Sequence, residues 1–367
     1  MKTIFVSIAS YRDTYCSRTL ESLYENAKNP QRVYVGICVQ NKEANEECTL
    51  EKPELIKYNK NIQTIRLKYF EAKGPTHARY LCATLFADQD YFLQIDSHTL
   101  FEKDWDQTAI DMLNEIKENT DSSDVVISHY PPNYDDIKND SRNINNVTVN
   151  CESFFNDEGI VSFKGAEFVD MSKHDGYIGA PHIAGGMFFC EGKCIRDVPF
   201  DPNLPNLFVG EEIIHSARVW TAGYDIYAPT KNFVYHLYTR DDQPKVWTDV
   251  KTFDSSDAKN KVRSIMGFQG GSEFPKHLND NIHEYGIGKK RTLDQFFKYA
   301  GIDVTQKTVN KNFCKTTPEK EGFSVIGVQP WNWDLIAMVF IIIAAFFLFI
   351  FRKEFRRLWK LRPKWLN

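Results

Sequence analysis

"FLQIDSHTLF" occupies residues 92–101, an apolar run that closes on Asp96, Ser97 and His98. In an extended chain alternate side chains fall on one side, so Asp96 and His98 can reach one ion while Ser97 points away. A carboxylate beside an imidazole suits Mn2+ or a similar borderline divalent cation better than Ca2+. Taken alone, Asp-x-His fits equally a strand that merely ends in polar residues, so its meaning rests on its surroundings.

The flanking segments alternate between strand and helix patterns. "TIFVSIA" (3–9) is β-rich, and Thr14 to Asn26 carries helix-like spacing through Cys16, Leu20, Leu23 and Tyr24. "RVYVGICVQN" (32–41) is an apolar strand, "IQTIRLKYF" (62–70) an alternating one, and "HARYLCATLFA" (77–87) a helix leading into "DYFLQID" (90–96). This β-α-β alternation predicts an α/β fold with a mostly parallel sheet flanked by helices. Such sheets bind ligands at the carboxyl ends of their strands, where "SYRD" (10–13) and "DSH" (96–98) fall. "DVVISHYPP" (124–132) predicts another strand, and 133–180 a loop-rich insertion near the substrate side. "HIAGGMFFCEG" (182–192) is strand-like around a glycine pair, and "GEEIIHSARVWTAG" (210–223) is a helix ended by glycine. "YDIYAPTKNFVYHLYTR" (224–240) reads as strands and loop, and the polar stretch 241–320 holds one helix, "TLDQFFKYAGI" (292–302).

Polar residues at these ends supply the candidate chemistry. His236, after the apolar "NFVY", is the best third metal ligand, with a hydrogen-bonded core histidine as the alternative; Arg240, four residues on, is spaced to bind phosphates. Glu211 and Glu212 open a helix after Gly210. One stabilises the helix N-terminus and the other positions an acceptor hydroxyl or steadies a developing cation, with the assignment open between them. Gly185 and Gly186 allow close backbone approach to a ligand, or form a bulge. Ser10, Tyr11, Arg12 and Asp13, with His77 and Arg79 at the start of a helix, suit a nucleotide base and its phosphates, and each also fits a solvated loop or helix end. The absence of a Walker-type or dinucleotide-type glycine loop argues against an ATPase or dehydrogenase. The absence of a dense Asp/His set argues against a two-metal phosphoesterase.

At 367 residues, 42% hydrophobic and 14% aromatic, the chain has enough apolar material for a folded core. A net charge of −4 provides no basic field, so nucleic acid is not expected as a partner. "LIAMVFIIIAAFFLFIF" (335–351) carries no charge, and its roughly 17 residues reach the lower limit for a transmembrane helix. Trp331 and Trp333 precede it, and Arg352, Lys353, Arg356, Arg357, Lys360, Arg362 and Lys364 follow. The expected organisation is a domain over 1–320, a linker 321–334, the membrane helix 335–351 and a basic tail 352–367. Met1 to Ser10 lacks a signal-peptide pattern. The expectation is therefore a single-pass C-terminal anchor with the main domain in the cytosol, although a basic flank after the helix itself prefers the cytosol. Eight cysteines are sparse for this length and are expected as buried thiols; Cys190 and Cys194 lack a second pair to complete a zinc site. "NDS" at Asn139 and "NVT" at Asn146 are glycosylation sequons, relevant only to a lumenal domain.

In combination the motifs resemble a GT-A-type glycosyltransferase. "VSIASYRD", "GPTHARYLCATLFADQDYFLQIDSHTLF", "PHIAGGMFFCEG", "FVGEEIIHSARVWTAGYDIYAPTKNFVYHLYTR" and "YGIGKKRTLDQFFKYAGI" are similar to the hydroxyproline N-acetylglucosaminyltransferase family, across most of residues 1–302. The Asp-x-His, the Gly-Gly, the Glu-rich helix and the later His also resemble the polypeptide N-acetylgalactosaminyltransferases. The resemblance implies that Asp96, His98 and His236 hold a divalent metal such as Mn2+, that Arg79 and Ser10 to Asp13 contact the nucleotide, and that Glu211 or Glu212 lies near the acceptor. It further implies UDP-GlcNAc as donor, a protein or peptide hydroxyl as acceptor, and retention of anomeric configuration by front-face attack. Another UDP-sugar or a glycan acceptor is the alternative within enzymes. A catalytically silent, membrane-anchored binding module is disfavoured by the intact Asp96, His98, Glu211, Glu212 and His236. The terminal apolar run is a departure from the soluble cytoplasmic members.

Overall fold

The alternation of Ile4, Val6 and Ile8 with Phe5 sets how the chain packs. The first three enter one buried cluster and Phe5 another, because successive side chains of a strand point to opposite faces and both faces here are covered. The computed structural model describes residues 1–135, 143–164, 167–240 and 243–310. The apolar run 335–351, its flanks and Cys314 lie outside the described residues. Among the described residues no helix is long and apolar enough to cross a membrane.

In chain order the elements are β1 (Ile4–Tyr11), α1 (Cys16–Glu25), β2 (Val33–Asn41), β3 (Ile62–Lys68), α2 (Gly74–Ala83), β4 (Tyr91–Asp96), β5 (Thr99–Phe101) and α3 (Trp105–Asn119). They continue with β6 (Val125–Ser128), β7 (Asn146–Val149), β8 (Ser153–Phe155), β9 (Val161–Phe163), β10 (Glu167–Asp170), β11 (Met187–Glu191) and α4 (Glu211–Thr221). Last come β12 (Asp225–Tyr227), β13 (Val234–His236), α5 (Ser256–Met266) and α6 (Leu293–Ala300), with short helical turns between.

Seven strands form the central sheet in the order β12-β6-β11-β4-β1-β2-β3. β11 runs antiparallel to both β4 and β6, and the other pairs are parallel. The mostly parallel sheet is therefore as expected, with β11 as the exception. On one face α1 and α3 deliver Leu20, Leu23, Trp105, Leu113 and Ile116 to the cluster of Ile4, Val6 and Ile8. Trp105 is fully buried, and its indole N–H donates to the Leu23 carbonyl at 2.9 Å. Burying that ring with its one donor satisfied stabilises the α1–α3 contact by area without leaving an orphan. On the other face Phe5, Phe92 and Phe188 pack with Val219 of α4.

Several elements differ from their expected form. α2 begins at Gly74, three residues early, because Pro75 in its first turn has the fixed φ a helix start tolerates and no N–H to orphan. β11 starts only after the glycine pair. The insertion 133–180 is not simply loop, since β7 pairs with β10 and β8 with β9. α5 lies in a polar stretch where only one helix was expected; Ala258, Val262 and Met266, four apart, form its narrow buried stripe. The cysteines divide: Cys38, Cys82, Cys190 and Cys194 are buried thiols, but Cys16 and Cys48 form a disulfide and Cys151 is disulfide-bonded as well. Cys16 opens α1 and Cys48 lies in the loop after β2, and only the fold brings the two segments together.

His129 and His182 are fully buried, and burial pushes both imidazoles down to about 3. The unfolded chain takes up these protons below about pH 6.5 while the folded protein does not, so stability is complete above that pH and is lost as the pH falls. Each contributes a slope of about 1.4 kcal/mol per pH unit. Urea midpoints should fall between pH 7 and pH 5, and His182→Phe should make the fall shallower.

Candidate active site

β1 and β4 are parallel neighbours, with Ala9 opposite Asp96, so the residues after β1 emerge beside the end of β4. β5 then pairs antiparallel with β13, setting Thr99 opposite His236. That register joins the two motifs: the Leu237 N–H donates to the His98 carbonyl at 3.1 Å. The imidazole Nε2 atoms of His98 and His236 lie 3.1 Å apart, and His236 Nε2 is 3.0 Å from Asp96 Oδ2. Ligand bonds of about 2.1 Å meeting near right angles separate ligand atoms by about 3.0 Å, so these residues fit one octahedral-type divalent ion. Asp96, His98 and His236 are brought together as anticipated.

The remaining candidates separate by role. Arg79, 7% exposed, donates from Nη1 to Glu211 Oε1 at 2.5 Å and from Nη2 to Asp96 Oδ1 at 3.1 Å. Glu211 also accepts from Thr76 Oγ1 at 3.0 Å. Burial alone raises the Asp96 carboxyl, but the His236 hydrogen bond and the Arg79 charge outweigh it and hold the group well below the usual range. Glu212 points elsewhere: its carboxylate accepts from the Tyr130 hydroxyl at 2.8 Å and from the Gly185 N–H at 2.7 Å. Burial is the main reason its carboxyl rises to about 7; the neighbouring Glu211 charge adds to it, and the Gly185 N–H opposes it. Gly210, with φ +101°, takes the left-handed conformation that lets these two residues open α4.

Gly185 and Gly186 precede β11, and the space above them is taken by function. A Cβ on Gly185 would meet Glu211 Oε1 at 2.8 Å, and one on Gly186 would meet Asp96 Oδ2 at 3.0 Å. Ser10 to Asp13 does not form a common contact surface. Tyr11 lines a cavity, and its hydroxyl donates to Asp249. Arg12 is occupied by Glu46 and Asp249, while Ser10 and Asp13 are fully buried. His77 is half-buried beside Tyr80 and lines neither of the cavities described next.

Two cavities meet at the cluster. One, of about 330 Å³, is walled by Arg79, Asp96, Tyr130, Gly185, Gly186, Glu211, Glu212, His236 and Tyr238, with Val161 to Phe163 of β9 and Phe208 opposite. The other, of about 270 Å³, is walled by Tyr11, Gln40, Asp96, His98, His236, Arg240 and Trp247. Tyr130, Tyr238, Phe208, Gln40 and Trp247 were not anticipated. Tyr130 follows β6 and was within reach of the strand-end rule; Phe208 and Trp247 carry no comparable sequence signal.

The sequence matches the family Glycosyltransferase (GlcNAc) over residues 3–55 and 44–306. The chain belongs to that family. No curated protein sequence matches it. Among solved structures it is similar to GalNAc-T7 with UDP, GalNAc and Mn2+, at 13% identity and a TM-score of 0.50, covering 81% of this chain and 56% of that one. It thus spans little more than half of that protein's length. It is also similar to residues 1–349 of S. aureus TarS in complex with UDP-GlcNAc, at 13% identity and a TM-score of 0.43, covering 82% and 73%. The GalNAc-T7 likeness shows the fold, a mixed α/β sheet of GT-A type. In this chain Arg79 is the cation that balances Asp96 and Glu211. Arg79→Gln should leave the buried Glu211 and the partly buried Asp96 without it and lower stability by about 3 kcal/mol in urea unfolding.

Proposed function

We propose that this glycosyltransferase moves GlcNAc from UDP-GlcNAc to a peptide hydroxyl, of hydroxyproline or of Thr or Ser, with retention of configuration and with Mn2+ or a similar divalent ion at Asp96, His98 and His236. The observation that carries the reading is the convergence of these three ligand atoms where the two cavities meet. The family's name supports GlcNAc, and GalNAc-T7, solved with UDP and Mn2+, supports the pairing of nucleotide and ion. The peptide acceptor rests on the motif resemblance.

In this reading the nucleotide occupies the cavity of Tyr11, Gln40 and Arg240, and the sugar and acceptor occupy that of Glu212 and Tyr130. The ion, when bound, neutralises charge gathering on the diphosphate. The bond from sugar C1 to the diphosphate oxygen breaks, the acceptor oxygen bonds to C1 from the same face, and the hydroxyl proton passes to the departing phosphate oxygen. Glu212, steadied by Tyr130 and the Gly185 N–H, accepts a hydrogen bond that orients the acceptor hydroxyl. Glu211 serves the scaffold by holding Arg79.

A panel of nucleotide sugars, assayed for transfer to hydroxyproline and Thr/Ser peptides, tests donor and acceptor together. Mn2+-dependent transfer from UDP-GlcNAc is expected, and Asp96→Asn or His236→Gln should lower kcat/KM by about a hundredfold or more. Transfer only from another UDP-sugar, or only to glycans, would replace the donor or acceptor assignment. Since the Glu212 carboxyl lies at about 7, the reactive carboxylate fills as the pH rises. kcat/KM should increase through about pH 7, and Glu212→Gln should remove that inflection.

A second reading concerns location. A disulfide such as Cys16–Cys48 persists in oxidising compartments, and the basic residues after the apolar run 335–351 prefer the cytosol. Both favour an anchored enzyme whose catalytic domain faces away from the cytosol. Protease protection of that domain in intact membranes is the expected result, and cleavage would return it to the cytosolic side.

A further inference from the structure

We propose that Asp13 is a positioning residue for the metal ligand His98, presenting its Nε2 lone pair to the ion, and that Arg240 locks Asp13 in that task. The inference rests on the metal reading of Asp96, His98 and His236. Asp13 is 0% exposed, so no substrate reaches it, yet its carboxylate accepts four hydrogen bonds beside the site. Its Oδ2 accepts from Ser97 Oγ at 2.6 Å, His98 Nδ1 at 2.7 Å and Arg240 Nη1 at 2.5 Å, and its Oδ1 accepts from the Tyr15 N–H at 2.9 Å.

The tautomer follows from these donors. A carboxylate beside a guanidinium only accepts hydrogen bonds, so His98 Nδ1 at 2.7 Å carries the hydrogen. Arg240 Nη1 also lies 2.6 Å from Nδ1 and would donate to it in the opposite tautomer, but that tautomer sets the Nδ1 lone pair against the Asp13 carboxylate at 2.7 Å. With the hydrogen on Nδ1, His98 Nε2 is a bare lone pair, and it points at His236 Nε2, 3.1 Å away, across the ligand cluster. Among the described residues His236 has no such support, since its own Nδ1 is buried without a partner there. Among the described residues, ligand orientation through the second ring nitrogen therefore falls on Asp13 alone. The same carboxylate gathers three segments: the end of β1, the turn between β4 and β5, and the stretch after His236 that carries Arg240.

The test uses the full-length, metal-free protein, titrated with Mn2+ while the EPR signal of free Mn2+ is followed. Asp13→Asn keeps the size of the side chain but offers an amide N–H2 that favours the wrong tautomer. It should weaken Mn2+ binding by about 10- to 100-fold; the substitution should raise the apparent KM for the ion more than it lowers kcat, so that excess Mn2+ restores transfer. Unchanged Mn2+ affinity, with or without a lower melting temperature, would reduce Asp13 to a structural residue and overturn the proposal. Should Asp13→Asn not fold, 15N-histidine NMR of the metal-free wild type decides: the Nδ1–H tautomer at His98, assigned with His98→Gln, is expected, and Nε2–H overturns the inference. A wild type that binds no Mn2+ while showing Nδ1–H would instead sink the metal reading itself.

Discussion

The pairing of β5 with β13 is the constraint on which the site depends. Three residue pairs, Val234 with Phe101, Tyr235 with Leu100 and His236 with Thr99, bring together imidazoles 138 residues apart in sequence. A register slip of one residue would turn His236 to the opposite face of its strand. Phe101, Val234 and Tyr235 are all buried, so a slip would also expose apolar surface and bury polar groups. Packing energy thus enforces a geometry that packing itself does not need.

Around that register the charges are arranged in alternation. Asp13 takes Arg240, Asp96 takes Arg79, and Arg79 takes Glu211. Burying so many ions is tolerable only because each has a partner in hydrogen-bond contact. Glu212 is the exception, with a hydroxyl and an N–H as partners in place of a cation; burial raises its carboxyl to about 7, and these two hydrogen bonds only oppose the rise. Two adjacent glutamates on one helix turn therefore acquire different chemistry: 100° of rotation along the helix sets Glu211 on the Arg79 guanidinium and Glu212 on the Tyr130 hydroxyl and the Gly185 N–H.

The segment between β1 and α1 serves as a brace. Arg12 reaches Glu46 and Asp249, Asp13 reaches His98, and Cys16 is bonded to Cys48 in the same loop as Glu46. The apparent nucleotide-binding run "SYRD" is mostly internal wiring, and only Tyr11 keeps a face on the cavity.

The sequence by itself determined the layered α/β sheet and the Asp-x-His motif, because a buried strand needs a continuous apolar run and a strand end in such a sheet is where polar residues gather. It also pointed to His236, Arg79 and the glutamate pair as types of residue suited to the chemistry. Tertiary structure alone decided which glutamate pairs with Arg79, that Asp13 belongs to the histidine and not to solvent, that Cys16 meets Cys48, and that β11 runs against its neighbours. Each of these turns on contacts between segments far apart in the chain. Local periodicity reports which face a residue occupies, but not which residue stands opposite.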